Sequence, residues 1–60
     1  MTIKRILMER DNMSAESADE LIEEAELELG ARIADGDMEG AEGICADYFG
    51  LEPDYLMELL

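Results

Sequence analysis

The stretch AESADELIEEAELELGARIA, residues 15–34, decides the fold. Ala18, Ile22, Ala25, Leu29 and Ile33 recur at intervals of three and four, and Leu21 widens the stripe they form. That spacing places apolar side chains on one face of a helix and leaves the acids on the other. Ser14 suits the N-cap, with Glu16 in the first turn favoured by the helix dipole. Ser17 is a rival cap, because SADE, residues 17–20, fits a capping box with Glu20. Ser14 is preferred, since Met13 and Ala18 then stand where a hydrophobic staple is made. Gly30 interrupts the run at a cost of about 1 kcal/mol relative to alanine, which allows a bend there. At ADGD, residues 34–37, Gly36 suits a left-handed cap and Asp37 can cap the helix that follows.

The flanks read in the same way. Thr2 caps a first short helix carrying Ile3, Ile6, Leu7 and Arg10, and Asp11-Asn12 marks its end. A third helix is predicted from about Met38 to Phe49, with Met38, Ala41, Ile44, Cys45, Tyr48 and Phe49 on one side. Gly40 and Gly43 weaken it, so packing must hold it. Gly50 stops it, and Pro53 opens a last short helix with Leu56, Met57, Leu59 and Leu60. No segment alternates with period two. The prediction is all-α: one domain over residues 1–60, a small bundle of three to four helices in which the second, about 15–34, is longest. The methionines at 8, 13, 38 and 57 are expected to serve as adaptable packing.

Sixty residues make a thin core, because so short a chain buries only about 60% of its unfolded surface. A single cysteine permits no internal disulfide, and a lone thiol points to a reducing, cytoplasmic setting. Histidine, the usual general base and commonest metal ligand, is absent. The opening MTIKRILMER is too short for a signal sequence or a membrane span.

Seventeen acids oppose four bases, for a net charge of −13. Lys4, Arg5 and Arg10 lie in the first ten residues, and Arg32 is the one base after them. Duplex DNA is itself a dense polyanion whose binding needs clustered Lys and Arg. Direct nucleic-acid binding is therefore not expected, and a basic partner is.

ADYFGLEPDYLMELL, residues 46–60, raises DNA binding from another side. Residues 44–57 resemble the closing helices of Cro/C1-type helix-turn-helix repressors, which often end in a run like IADYFGVSPDYLL. Ala46, Asp47, Tyr48, Phe49, Gly50, Pro53, Asp54, Tyr55 and Leu56 carry the match. IKRILMERDNMSAESADEL, residues 3–21, resembles that family's first helix and the entry to its second. Between them, such repressors place a short turn and then a helix that presents Ser, Thr, Gln and Arg to the major groove. Here the interval IEEAELELGARIADG, residues 22–36, reads as continuous acidic helix. The resemblance implies a shared helical scaffold without the DNA-reading part. The chain as a whole also resembles small, uncharacterised acidic helical proteins of prophages and mobile elements of gut bacteria. Those often finish in a segment like GLEPDYLMELL, residues 50–60, and the likeness implies no activity.

Three constellations are candidates for function. Glu20, Glu23 and Glu24 point away from the apolar stripe, with Asp19, Glu26 and Glu28 on its flanks. Like charges at i,i+4 (Glu20, Glu24, Glu28) repel, and only Glu28–Arg32 is favourable at that spacing. The face is either a solvated surface or a field used on a basic partner. Leu27 lies opposite the stripe, with Ala31 and Ala34 on its side. Either the long helix is central and Leu27 is core, or the three form an acid-rimmed strip for a partner or a second copy.

DGDMEG, residues 35–40, places Asp35, Asp37, Glu39 and Gly40 at the first, third, fifth and sixth positions of an EF-hand loop. Ala46 stands where the bidentate Glu belongs, so these acids are weak calcium candidates and a capped turn is the simpler reading. Cys45 falls on an apolar face with no base nearby in sequence, which predicts a buried, inert thiol. No nucleophile, phosphate loop or single acid–base pair stands out, and no cofactor or enzymatic activity is expected.

The function expected is a protein-binding module whose acidic helix meets a basic surface through Glu20, Glu23, Glu24, Leu27 and Ala31. A nucleic-acid-mimicking inhibitor or regulator of a nucleic-acid-binding protein is one form of it. The alternative is an accessory helical protein that self-associates, as a homodimer for example, through Leu27, Ala31 and Ala34.

Overall fold

A computed structural model describes residues 2–60. It is all-helical, in the order α1 (Ile3–Arg10), α2 (Ala15–Ala34), α3 (Met38–Glu42), α4 (Ile44–Phe49) and a closing 3₁₀ helix (Pro53–Glu58). At 1.5 Å per residue, α2 alone is about 30 Å long, so it runs most of the molecule's 33 Å length. The other elements lie along it: α1, α3 and α4 all pack on α2, and the 3₁₀ helix packs on α4.

Local chemistry accounts for the boundaries. The Thr2 hydroxyl accepts from the Arg5 N–H at the start of α1. Asn12, at φ 59°, turns the chain out of that helix. The Ser14 hydroxyl accepts from the Ser17 N–H, which makes Ser14 the cap of α2 and leaves Ser17 inside it. Asp37 does the same for α3, its carboxylate accepting from the Gly40 N–H at 2.9 Å. Gly36 and Gly50, at φ 75° and 65°, end α2 and α4 in the left-handed conformation that glycine adopts without a Cβ clash.

The core gathers Ile3, Leu7, Ala18, Ala25, Leu29, Ala41, Ile44, Cys45, Phe49 and Leu59. Met13, Leu21, Ile22, Tyr48, Leu51, Tyr55 and Leu56 pack against it half-buried. Small residues on α2 let its neighbours approach, and the larger side chains of α1 and α4 fill the space between. Burial raises the pKa of the Cys45 thiol above its ordinary value, and the charge of Glu58 adds to the effect.

Four expectations need correction. The third helix is not continuous from Met38 to Phe49 but breaks at Gly43, which caps α3 and begins α4. The two glycines reduce its helical preference, and at the break the Gly43 N–H is shared between the Glu39 and Gly40 carbonyls. The last helix is 3₁₀ and holds no buried residue of its own, while Leu59 just beyond it is buried. The methionines are not packing for the interior, since Met8, Met38 and Met57 are exposed and only Met13 touches the core. Ile33, placed in the α2 stripe, is also exposed, because the stripe's buried members stop at Leu29.

Two arginines join one helix to another. Arg10 holds Asp11 through two hydrogen bonds, of 2.9 and 2.8 Å, and donates to the Phe49 carbonyl at the end of α4. Arg32 donates to Glu28 at 3.1 Å and to the Gly40 carbonyl at 2.6 Å, with Asp47 at 3.5 Å. A guanidinium offers five donors in a planar fork, which suits it to hold a carboxylate and a helix carbonyl together. The Arg10 hydrogen bonds hold the Asp11 carboxyl below its ordinary pKa.

Candidate functional site: the outer face of the long helix

Helix α2 buries Ala18, Ala25 and Leu29 against the rest of the bundle. At 100° per residue, its opposite side carries Glu20, Glu23, Glu24, Leu27, Ala31 and Ala34, and all six are exposed. Leu27 is 77% exposed. The core reading of this leucine is therefore overturned: α1, α3 and α4 all lie against the other side, and α2 is a spine with a bare outer face. Gly30 stands within that face, and a Cβ built on it would meet nothing within 4 Å.

The flanks are tied down and the centre is not. Asp19, on one flank, pairs with Lys4 of α1 at 3.2 Å. Glu28, on the other, pairs with Arg32 as its i,i+4 spacing predicts. Glu20, Glu23 and Glu24 have no cation within salt-bridge distance among the described residues. All four bases are committed elsewhere: Lys4 to Asp19, Arg5 to Glu9, Arg10 to Asp11, and Arg32 to Glu28 and Asp47. The face thus combines an acidic half centred on Glu20, Glu23 and Glu24 with a smoother half made of Gly30, Ala31 and Ala34. Leu27 projects where the two halves meet.

The acidic turn at residues 35–40 is arranged differently. Asp35, Asp37 and Glu39 are all exposed, and the Asp37 carboxylate is engaged as the cap of α3. Among the described residues, no three His, Cys, Asp or Glu side chains come together as a ligand set. No described helix is long and apolar enough to cross a membrane.

A second exposed apolar feature was not legible in the sequence. Pro53, Leu56, Met57 and Leu60, with Glu42 and Asp54, line a shallow groove of about 380 Å³ between the end of α3 and the 3₁₀ helix. Met57 is 81% exposed and Leu60 78%. An α-helical period groups Leu56, Leu59 and Leu60 on one side with Met57 beside them. The chain instead winds as a 3₁₀ helix that ends at Glu58, and of the four, Leu56 and Leu59 turn inward while Met57 and Leu60 turn outward.

No protein-family model matches the chain, and no curated protein or solved structure matches it.

Proposed function

We propose that this protein is a binding module that presents the outer face of α2 to a basic surface on another protein. One observation carries the reading. Glu20, Glu23 and Glu24 share an exposed face with Leu27 and have no counter-ion there, while every lysine and arginine of the chain is engaged elsewhere. Like charges along one helix face cost stability, and a cationic partner relieves that cost on binding. Leu27 is the anchor, since an exposed leucine rimmed by acids has the apolar centre and polar rim of an interface.

A nucleic-acid-binding protein is the partner class that this charge pattern suits best. A row of carboxylates on a rigid helix offers such a protein the polyanion it is built to meet. The chain then acts as an inhibitor or regulator by occupying the nucleic-acid site. Self-association through Leu27, Ala31 and Ala34 fits less well, because it brings the uncompensated acids of two copies together.

The test is affinity capture from the native host's lysate at about 0.02 M and about 0.5 M salt, a range over which surface charges become screened. Three forms are compared: the native chain, a Glu20→Gln/Glu23→Gln/Glu24→Gln variant, and an Asp35→Asn/Glu39→Gln/Glu52→Gln control of equal charge. A basic protein held at low salt, lost from the first variant and kept by the control, supports the reading. Displacement of the chain by the captured protein's own nucleic acid supports the mimic. Equal loss from both variants, or capture of nothing but further copies of the chain, overturns it.

A further inference from the structure

The groove between α3 and the 3₁₀ helix shares no residue with the outer face of α2, and it has a chemistry of its own. Asp54 and Met57 lie three apart within the 3₁₀ helix, which sets them on one outward side, and Leu60, just past the helix end, continues that row along the groove. Pro53 and Leu56 form the adjoining floor, and Glu42, at the end of α3, faces the row from the other side. The row therefore begins with an acid and continues with two large, almost bare apolar side chains.

We infer that this groove is a docking site for a basic amphipathic helix of another protein, seated by apolar contacts on Met57 and Leu60. Charge complementarity decides among the possible occupants. The groove's charged lining residues are both acidic, and neither has a cation partner among the described residues. A second copy of this chain, at −13, brings like charge to like charge. An anionic lipid surface is repelled for the same reason. A small apolar molecule in so shallow a groove stays largely in water, whereas stable small-molecule sites enclose most of their ligand. A helix with apolar residues at i, i+3, i+4 and i+7 covers Met57 and Leu60 together, and its flanking Lys or Arg side chains meet Asp54 and Glu42. Methionine adds a flexible, polarisable surface that adapts to such a helix.

The experiment uses the full chain, isotopically labelled, and three synthetic peptides followed by NMR. The first peptide is an amphipathic helix of leucine and lysine. The second keeps its leucines but replaces lysine with glutamate, and the third keeps the composition with the apolar face scrambled. The first is expected to shift the resonances of Glu42 and residues 53–60 and to bind the native chain about tenfold more tightly than a Met57→Ser/Leu60→Ser variant. Both side chains are exposed, so an unchanged far-UV circular dichroism spectrum and melting temperature show that the variant is folded. The second peptide is expected not to bind, and the third not to shift the groove. Equal affinity for the variant, binding of the glutamate peptide, shifts confined to the α2 face, or a native chain that sediments as a dimer through residues 53–60 would each overturn the assignment. Loss of groove binding leaves capture through Glu20, Glu23 and Glu24 unaffected, so the two surfaces fail separately.

Discussion

Leu27 and Leu29 sit two residues apart on α2, and the same substitution at each gives opposite results. Leu29 is 2% exposed and Leu27 77%. Leu29→Ala removes a fully buried side chain and leaves a cavity that a long, rigid helix cannot collapse to fill. Leucine-to-alanine changes at such sites cost about 3 kcal/mol or more. A core of this size supplies only about 3–5 kcal/mol in total, so the Leu29 variant keeps at most about 2 kcal/mol of stability. At Leu27 only about a quarter of the side chain is removed from water, worth about 0.5 kcal/mol of a full burial of about 2. The higher helix propensity of alanine returns a few tenths of that (about 0.2 kcal/mol). The net change is close to zero. Since both positions lie mid-helix, propensity cancels between them and the contrast reports burial alone.

Urea unfolding followed by circular dichroism measures both variants against the native chain. With a slope of about 1 kcal/mol per molar urea for so small a domain, Leu27→Ala is expected to move the midpoint by less than about 0.5 M. A loss above about 1 kcal/mol at Leu27 would refute the bare outer face. Should that loss also grow with protein concentration, Leu27 lies between copies of the chain, because mass action makes the stability of an associating protein concentration-dependent.

Salt is expected to raise the urea midpoint of the native chain between about 0.01 M and 0.15 M, by screening its self-repulsion; an unchanged midpoint contradicts this. The Cys45 pKa is raised in the folded state above the ordinary 9.0. Its contribution is therefore complete below pH 9.0 and is lost as the pH climbs through the folded value, since the unfolded chain releases its proton first. Stability should fall more steeply as the pH rises above 9.0 in the native chain than in Cys45→Ala, and parallel profiles exclude the effect. The Glu58 carboxylate accepts from the Ile3 N–H at 3.0 Å, joining the 3₁₀ helix to the first turn of α1. Glu58→Ala should cost about 1 kcal/mol in thermal unfolding while Glu58→Gln, which keeps an acceptor, costs less; equal losses show that charge rather than the hydrogen bond matters.

The elements legible in the sequence are those governed by neighbouring residues. Thr2, Ser14, Gly36, Asp37 and Gly50 act within a few positions of themselves, and each caps or ends a helix as its chemistry dictates. The α2 stripe identified the buried side through Leu29, and the acids opposite it are exposed as the wheel requires. Whether Leu27 was covered could not be read locally, because that depends on where α1, α3 and α4 settle around α2. The break at Gly43 and the 3₁₀ winding after Pro53 arise from small balances between hydrogen-bond patterns that residue periodicity does not resolve. The groove needed both of these, together with the meeting of Glu42 with residues 53–60. The partners of Arg10 and Arg32 are backbone carbonyls 39 and 8 residues away, and a carbonyl has no signature in sequence.

Those two arginines also bear on how such a sequence can drift. An exposed position that acquires an acid disturbs no packing, although each added acid adds to the chain's self-repulsion. Arg10 and Arg32 have no such freedom, because each holds a carboxylate and the carbonyl of a different helix with one rigid fork. Replacing either arginine therefore frees a carboxylate and a helix carbonyl at once.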